Sequence, residues 1–291
     1  MQVYVQADGS PRQGISFEVA KQSVTRAFDA WLSADCGGAP PLIDVQVLGP
    51  ITCAAAEYNK AQKNANIVMF RNDEWPYIGG EDALGLTTLN FNADTGELWD
   101  GDIEINAIGA QFTVGDPVTG DDLDSVLTHE AGHLLGLAHT LAVDATMFGS
   151  YTSGTDTLRT LAQDDVNAVC AAYPPERIPS RTSCLPRHGF SDACSADQPA
   201  NSGTNEGTDQ EVAPNTGGMA TSKGCAFRPI AAPSWPSPMV VFAFVLGPCL
   251  LRRRRGSSRR PFVPCEHAQS TLAGHQVTVR IFSASRTESK R

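Results

Sequence analysis

Five residues near the middle of the chain have the types and spacing for metal-assisted hydrolysis: His129, Glu130, His133, Gly136 and His139. On an α-helix His129 and His133 fall one turn apart on one face, so their imidazoles can grip a single zinc ion. Glu130 adjoins the first of them and is placed to take a proton from a water that the metal activates. Gly136 stands three residues after His133, where a sharp turn needs a residue that adopts φ > 0 at little cost. After such a turn His139 can swing back as third ligand, leaving a fourth position for water. At ordinary residue frequencies this five-residue pattern arises by chance in about one chain of this length in a hundred thousand. Histidines that merely pack or cap a buried helix are therefore a poor account of it. Ala or Gln at Glu130 is expected to keep the metal and lose turnover.

The pattern is that of the metzincin zinc peptidases, and the chain resembles the matrixins most closely. Met147, in the run Asp144–Tyr151, stands where that clan has its Met-turn beneath the metal. The run Leu161–Val169 is similar to the closing helix of a matrixin catalytic domain, with Asp164 and Asp165 matching its Gln-Asp-Asp start. The resemblance covers residues 1–175. It implies an α+β, metzincin-like zincin domain: a twisted, mixed five-stranded sheet, an active-site helix and a Met-turn. It further implies one catalytic zinc on His129, His133 and His139, Glu130 as general base, and Met147 as a hydrophobic floor. Tyr151 matches the tyrosine lining the S1′ pocket. Gly149 departs from the family, which usually has Pro there, and this position is also where an astacin-type zinc-binding Tyr would stand.

By the same resemblance, Gly85, Leu86, Thr87 and Thr88 belong to an antiparallel edge strand over Leu84–Asn92, above the cleft. An exposed edge offers unpaired N–H and C=O groups, so an extended peptide can join it as an extra strand; the alternative is that another element covers the edge. The implied activity is a zinc metalloendopeptidase acting on internal bonds of extended proteins. Two other readings keep the metal: a catalytically weak zinc-binding surface adhesion module, and a zinc amidase acting on small or cell-wall amides. Calcium is a further expectation, since Asp94, Asp100, Asp102 and Glu104 cluster where matrixins bind it. A solvated strand face accounts for the same residues without an ion. The His/Asp-rich loop that holds a second zinc in vertebrate matrixins is not found, so one zinc is expected.

The elements that must position these residues follow from periodicity. Gln2–Gln6 alternates as a strand, and Asp8–Pro11 is a turn. Phe17, Ala20, Val24, Ala27, Phe28 and Trp31 recur at helical spacing and predict a core-facing helix over Phe17–Leu32. Leu42–Leu48 and Asn66–Phe70 read as strands. Glu97–Asn106 reads as a strand with Ile103 and Ile105 inward and Asp102, Glu104 and Asn106 outward. Gly120-Asp121-Asp122 opens the metal-ligand helix, with Asp121 or Asp122 as cap and Leu123, Val126, Leu127, Leu134 and Leu135 toward the core. Pro174-Pro175 stops the closing helix.

Charge and cysteines bound the rest. The chain carries a formal net charge of −10. From Arg252 onward the balance is +8, so the remainder stands at −18. So acidic a catalytic part is ill suited to nucleic acid, and the expected partner is a protein or peptide substrate met by a monomer. Eight cysteines contain no C-x-x-C pair, which argues against an all-thiolate zinc site. Cys36 and Cys53 could bridge, and Cys170, Cys184 and Cys194 cluster near the end of the catalytic part. An oxidising, exported setting fits these, with buried free thiols as the alternative. Met1–Val5 runs straight into the first strand with no signal-peptide pattern, so export would place the start upstream of Met1.

Four segments result: a zinc metallopeptidase domain at 1–175, a flexible Ser/Thr/Gly/Pro-rich linker at 176–223, a sorting or anchor segment at 224–255, and a disordered basic tail at 256–291. Gly224-Cys225, the apolar stretch to Leu251 and the cluster Arg252–Arg255 resemble the C-terminal sorting tail of myxobacterial surface proteins. Arg228, Pro229, Pro233, Pro236 and Pro238 interrupt that stretch, leaving Met239–Leu251 too short to cross a bilayer by itself. Membrane association through this segment, and an extracellular or surface-anchored location, are expected.

Overall fold

The computed structural model describes residues 1–56, 58, 64–78, 80, 82–93, 96–177, 276–282 and 285–286. Its strands are β1 (Gln2–Gln6), β2 (Gln46–Ile51), β3 (Asn66–Arg71), β4 (Gly85–Asn92), β5 (Leu98–Asn106), β6 (Phe112–Thr113), β7 (Asp121–Asp122), β8 (Ser150–Tyr151), β9 (Gln276–Phe282) and β10 (Ser285–Arg286). Three α-helices complete it: α1 (Phe17–Leu32), α2 (Leu123–Leu134) and α3 (Gln163–Ala172).

The main sheet runs β2-β1-β3-β5-β4-β9. Its first four strands are mutually parallel, β4 is antiparallel to β5, and β9 is antiparallel to β4. The five strands β1–β5 give the mixed sheet expected. β3 lies in the middle of it and is buried along almost its whole length, as a parallel strand covered on both faces must be. The sixth strand comes from residues 276–282, a region with no expected structure; the alternation of Val277, Val279 and Ile281 suits a strand once β4 is beside it.

α1 forms where the apolar spacing predicts. Ser16 caps it by accepting from the Val19 N–H, and Ala20, Val24, Ala27, Phe28 and Trp31 are buried in the core shared with α2 and the sheet. The expected strand over Leu42–Leu48 is displaced to Gln46–Ile51. Leu42 instead donates to the Tyr173 carbonyl at the end of α3, and pairing with β1 starts only at Gln46 opposite Gln2.

Two further expectations are corrected. Asp102, Glu104 and Asn106 do not face water: all three side chains are buried. Glu104 is paired with Arg71 and Tyr77, Asp102 accepts from the Ile67 N–H at 2.9 Å, and Asp100 accepts from Asn90 at 3.2 Å. Cys36 bonds Cys170 rather than Cys53, with Cα atoms 5.3 Å apart, and ties the loop after α1 to α3. Cys53 is also disulfide-bonded. Among the described residues no helix is long and apolar enough to cross a membrane. Asp94, the linker from residue 178 on and the 224–255 segment lie outside the described residues.

Candidate active site

The site is built on α2, and the helix is buried on every side rather than along one stripe. Asp122 caps it by accepting from the Ser125 N–H at 2.8 Å. Arg159 grips the same carboxylate with two bonds of 2.8 and 2.7 Å, and Tyr151 accepts from the Asp122 N–H at 2.9 Å while donating to the Thr155 carbonyl. Trp31 of α1 donates to the Thr128 carbonyl at 2.8 Å. The helices approach so closely that a Cβ on Gly132 would lie 2.3 Å from the Met147 sulfur and 2.6 Å from the Trp31 ring.

Past α2 the chain reverses at Gly136, whose φ is +86°. That reversal brings His139 back to His129 and His133, and the three Nε2 atoms form a triangle with every side 3.1 Å. His129 Nδ1 lies 2.6 Å from the Thr146 carbonyl and His133 Nδ1 2.8 Å from the Leu137 carbonyl. A carbonyl only accepts, so each Nδ1 carries the proton and each Nε2 turns a lone pair inward. Burial pushes the His129 pKa down to about 3, with His139 adding to the effect, and drives that of His133 well below its usual value. Neutral imidazoles with converging lone pairs are the donor set zinc takes. Tetrahedral Zn–N bonds of about 2.0–2.1 Å call for nitrogens roughly 3.3 Å apart, which the triangle meets almost without adjustment. Among the described residues no other group of three His, Cys, Asp or Glu donors lies close enough to share one ion.

Glu130 is fully buried, and Thr87 donates to its Oε2 at 2.5 Å. A Cβ on Gly85 would come within 2.7 Å of Oε1, so glycine there lets the carboxylate lie against β4. Gly85 and Thr87, expected on the substrate side, thus touch the acid itself. Leu86 and Thr88 lie in the stretch of β4 that pairs with β9, so the edge expected to be open is covered by another element of the chain. Gly149 packs on the His139 ring, where a Cβ would sit 3.3 Å from Nδ1.

Met147 is buried, and its N–H donates to Asp165 at 3.0 Å. Asp165 also accepts from Thr146 at 2.7 Å and Ala162 at 2.9 Å, so one carboxylate holds the turn that carries Met147. Sequence reasoning missed Trp31, Gly132 and Arg159 as supports. Only Gly132 left a signal: glycine inside a helix costs about 1 kcal/mol relative to alanine and calls for a packing reason.

A mixed sheet over a buried helix that presents three imidazoles beside a carboxylate is the arrangement of a zinc-dependent hydrolase. A family model described as Matrixin matches residues 10–174, more than half of the chain, and the chain belongs to that family. It is 27% identical to Metalloendoproteinase 1 of Glycine max over 164 residues, which are 53% of this chain and 45% of that protein. It is 46% identical to Stromelysin-1 of Rattus norvegicus over 66 residues, 22% of this chain and 14% of that one. Against Metalloendoproteinase 5-MMP of Arabidopsis thaliana it is 48% identical over 52 residues, 18% and 14% of the two chains. The chain thus spans less than half the length of each of these relatives. Matrixins bind zinc, and the His129, His133 and His139 cluster is the donor group that matches.

Proposed function

We propose that the chain is a zinc-dependent endopeptidase cutting internal bonds of extended protein segments, with Glu130 moving the proton. The observation that carries this reading is the buried Glu130 carboxylate, fixed by Thr87 and adjoining the three-imidazole cluster. When held by His129, His133 and His139, one zinc ion supplies a Lewis acid that acidifies water and polarises a carbonyl. Glu130 takes the proton of the attacking water and returns it to the leaving amine. Thr87 keeps the carboxylate aimed, and the carbonyls of Thr146 and Leu137 keep two imidazoles in the metal-binding tautomer. Met147 forms the floor, Tyr151 bounds the pocket for the substrate side chain, and a peptide adds to β4 beside Leu86 and Thr88 when β9 gives up that edge.

In this reading residues 1–175 are the catalytic domain of a monomer that takes proteins and not nucleic acid. The disulfide supports export, to the medium or to the surface through the 224–255 segment.

Glu130→Gln is the test. The variant should retain one zinc per chain by elemental analysis and cleave an unfolded protein about 10²–10⁴-fold more slowly than the parent, as loss of a general base does. A chelator should silence the parent. A zinc-loaded protein that makes no internal cut, either as the full chain or when ended at residue 275, would leave the amidase or adhesion readings in its place. A variant as fast as the parent would remove Glu130 from the chemistry.

A further inference from the structure

The covered edge has a consequence for how the site is reached. β9 runs antiparallel along β4 in a continuous register from Leu86 opposite Phe282 to Asn92 opposite Gln276. Three positions past its last residue, β10 begins and runs parallel to β8, with Ser285 opposite Ser150 and Arg286 opposite Tyr151. These partners flank the reactive groups on two sides. Thr87, opposite Ile281, holds Glu130, and Gly149, next to Ser150, lies on the ring of His139. Two short stretches, 276–282 and 285–286, therefore lie beside the strand that touches the carboxylate and beside the residue next to the third imidazole's glycine, each paired with its neighbour.

We infer that residues 276–282 and 285–286 occupy the peptide-binding track of the site in cis and block added substrate from it. The inference rests on the peptidase reading for its effect on rate, while the occupancy stands on the pairing alone. The N–H and C=O groups along one side of β4 can serve one neighbouring strand at a time, so a substrate strand and β9 exclude each other. Charge favours the same docking, since the chain from Arg252 onward is at +8 and the rest at −18. Tethering makes the pairing intramolecular, so dilution does not release it and a free peptide must outcompete it.

The test compares the full chain with a chain ending at residue 275 and with a full-length Val279→Pro/Arg280→Pro variant. Successive strand residues direct their N–H groups to opposite sides, so adjacent prolines remove a donor toward β4 whichever side faces it. Two readouts are taken: kcat/KM on an unfolded protein, and hydrogen exchange of the Leu86–Asn92 amides. If the tail covers the track nine-tenths of the time, both variants gain about tenfold in kcat/KM, because apparent affinity scales with the competent fraction. Their β4 amides exchange faster, and an added peptide of residues 276–286 returns the shortened chain toward the parent rate. Unchanged rate and unchanged β4 exchange in both variants overturn the inference and leave the peptidase reading intact. Faster β4 exchange with no hydrolysis by any of the three removes the peptidase reading and leaves the occupancy. Rapid self-cleavage of the parent after residue 282 identifies a substrate rather than a block, and overturns it.

Discussion

Replacing Asp165 with Ala tests whether the metal cluster is held from behind by the turn that carries Met147. The carboxylate is fully buried and accepts three backbone N–H groups, from Thr146, Met147 and Ala162, at 2.7, 3.0 and 2.9 Å. Removing it leaves three buried donors without an acceptor. At about 1–3 kcal/mol for each such group, partly relieved by local relaxation, the loss should come to about 3–5 kcal/mol. A domain stable by about 5–15 kcal/mol survives this, so the variant should fold and can be assayed. Its effect should also reach the zinc. The Thr146 carbonyl receives the His129 Nδ1 proton, and once the Thr146 N–H loses its anchor that carbonyl no longer aims the ring. Loss of such an orienting partner typically weakens metal binding about 10–100-fold. Denaturant unfolding of the metal-free protein and competitive zinc titration measure the two effects separately. Asp164→Ala is the control: Asp164 lies on the surface at the start of the same helix, so its loss should cost under about 1 kcal/mol and leave zinc affinity alone. A variant lacking Asp165 that matches this control in both assays would refute the reasoning.

Two further substitutions probe the packing and the buried acids. Gly132→Ala ought to raise helix propensity by about 1 kcal/mol, yet its new methyl meets the Met147 sulfur and Trp31. Overpacking of that kind costs about 1–3 kcal/mol, so a net loss in unfolding free energy is expected, and a gain would show that the helices part easily. Burial pushes the Asp100 pKa up from 3.8 to about 7, with the Asn90 hydrogen bond opposing. A carboxyl raised in the folded state keeps its proton longer there than in the unfolded chain, so its contribution is full below about pH 4 and is lost as pH rises toward 7. Asp100→Asn should remove that loss, leaving the variant ahead of the parent by about 2–4 kcal/mol at pH 8 and level with it near pH 4, by denaturant unfolding. Calcium bound at Asp100 would act oppositely: adding it at pH 8 would stabilise the parent and not the variant.

The metal cluster was legible because its constraints are local. The i, i+4 spacing of His129 and His133 fixes their shared face, and only a residue at ease with positive φ allows the reversal that returns His139. The long helix α1 was equally plain from its spacing. The β5 carboxylates were not. Alternation separates the two faces of a strand without saying which of them is covered, and only side chains from elsewhere in the chain, Arg71 and Tyr77 reaching Glu104, settle that. Nor can cysteine spacing decide between Cys36–Cys53 and Cys36–Cys170, because connectivity depends on which loops fold side by side.

What sequence could not supply is the identity of each group's partner across long separations, and the site depends on those partners. Glu130 takes its aim from Thr87, forty-three positions earlier, and α2 takes its depth from Trp31, ninety-seven positions before Thr128. The same holds for the entrance. β4 was expected as an open edge from the family resemblance, while the strand that covers it lies at residues 276–282. A short alternating run so far from its partner has no local mark that distinguishes it from tail. If the tail excludes substrate, the groups that cut and the segment that restrains them fold as one sheet, and measured activity depends as much on the opening of β9 as on the chemistry at Glu130.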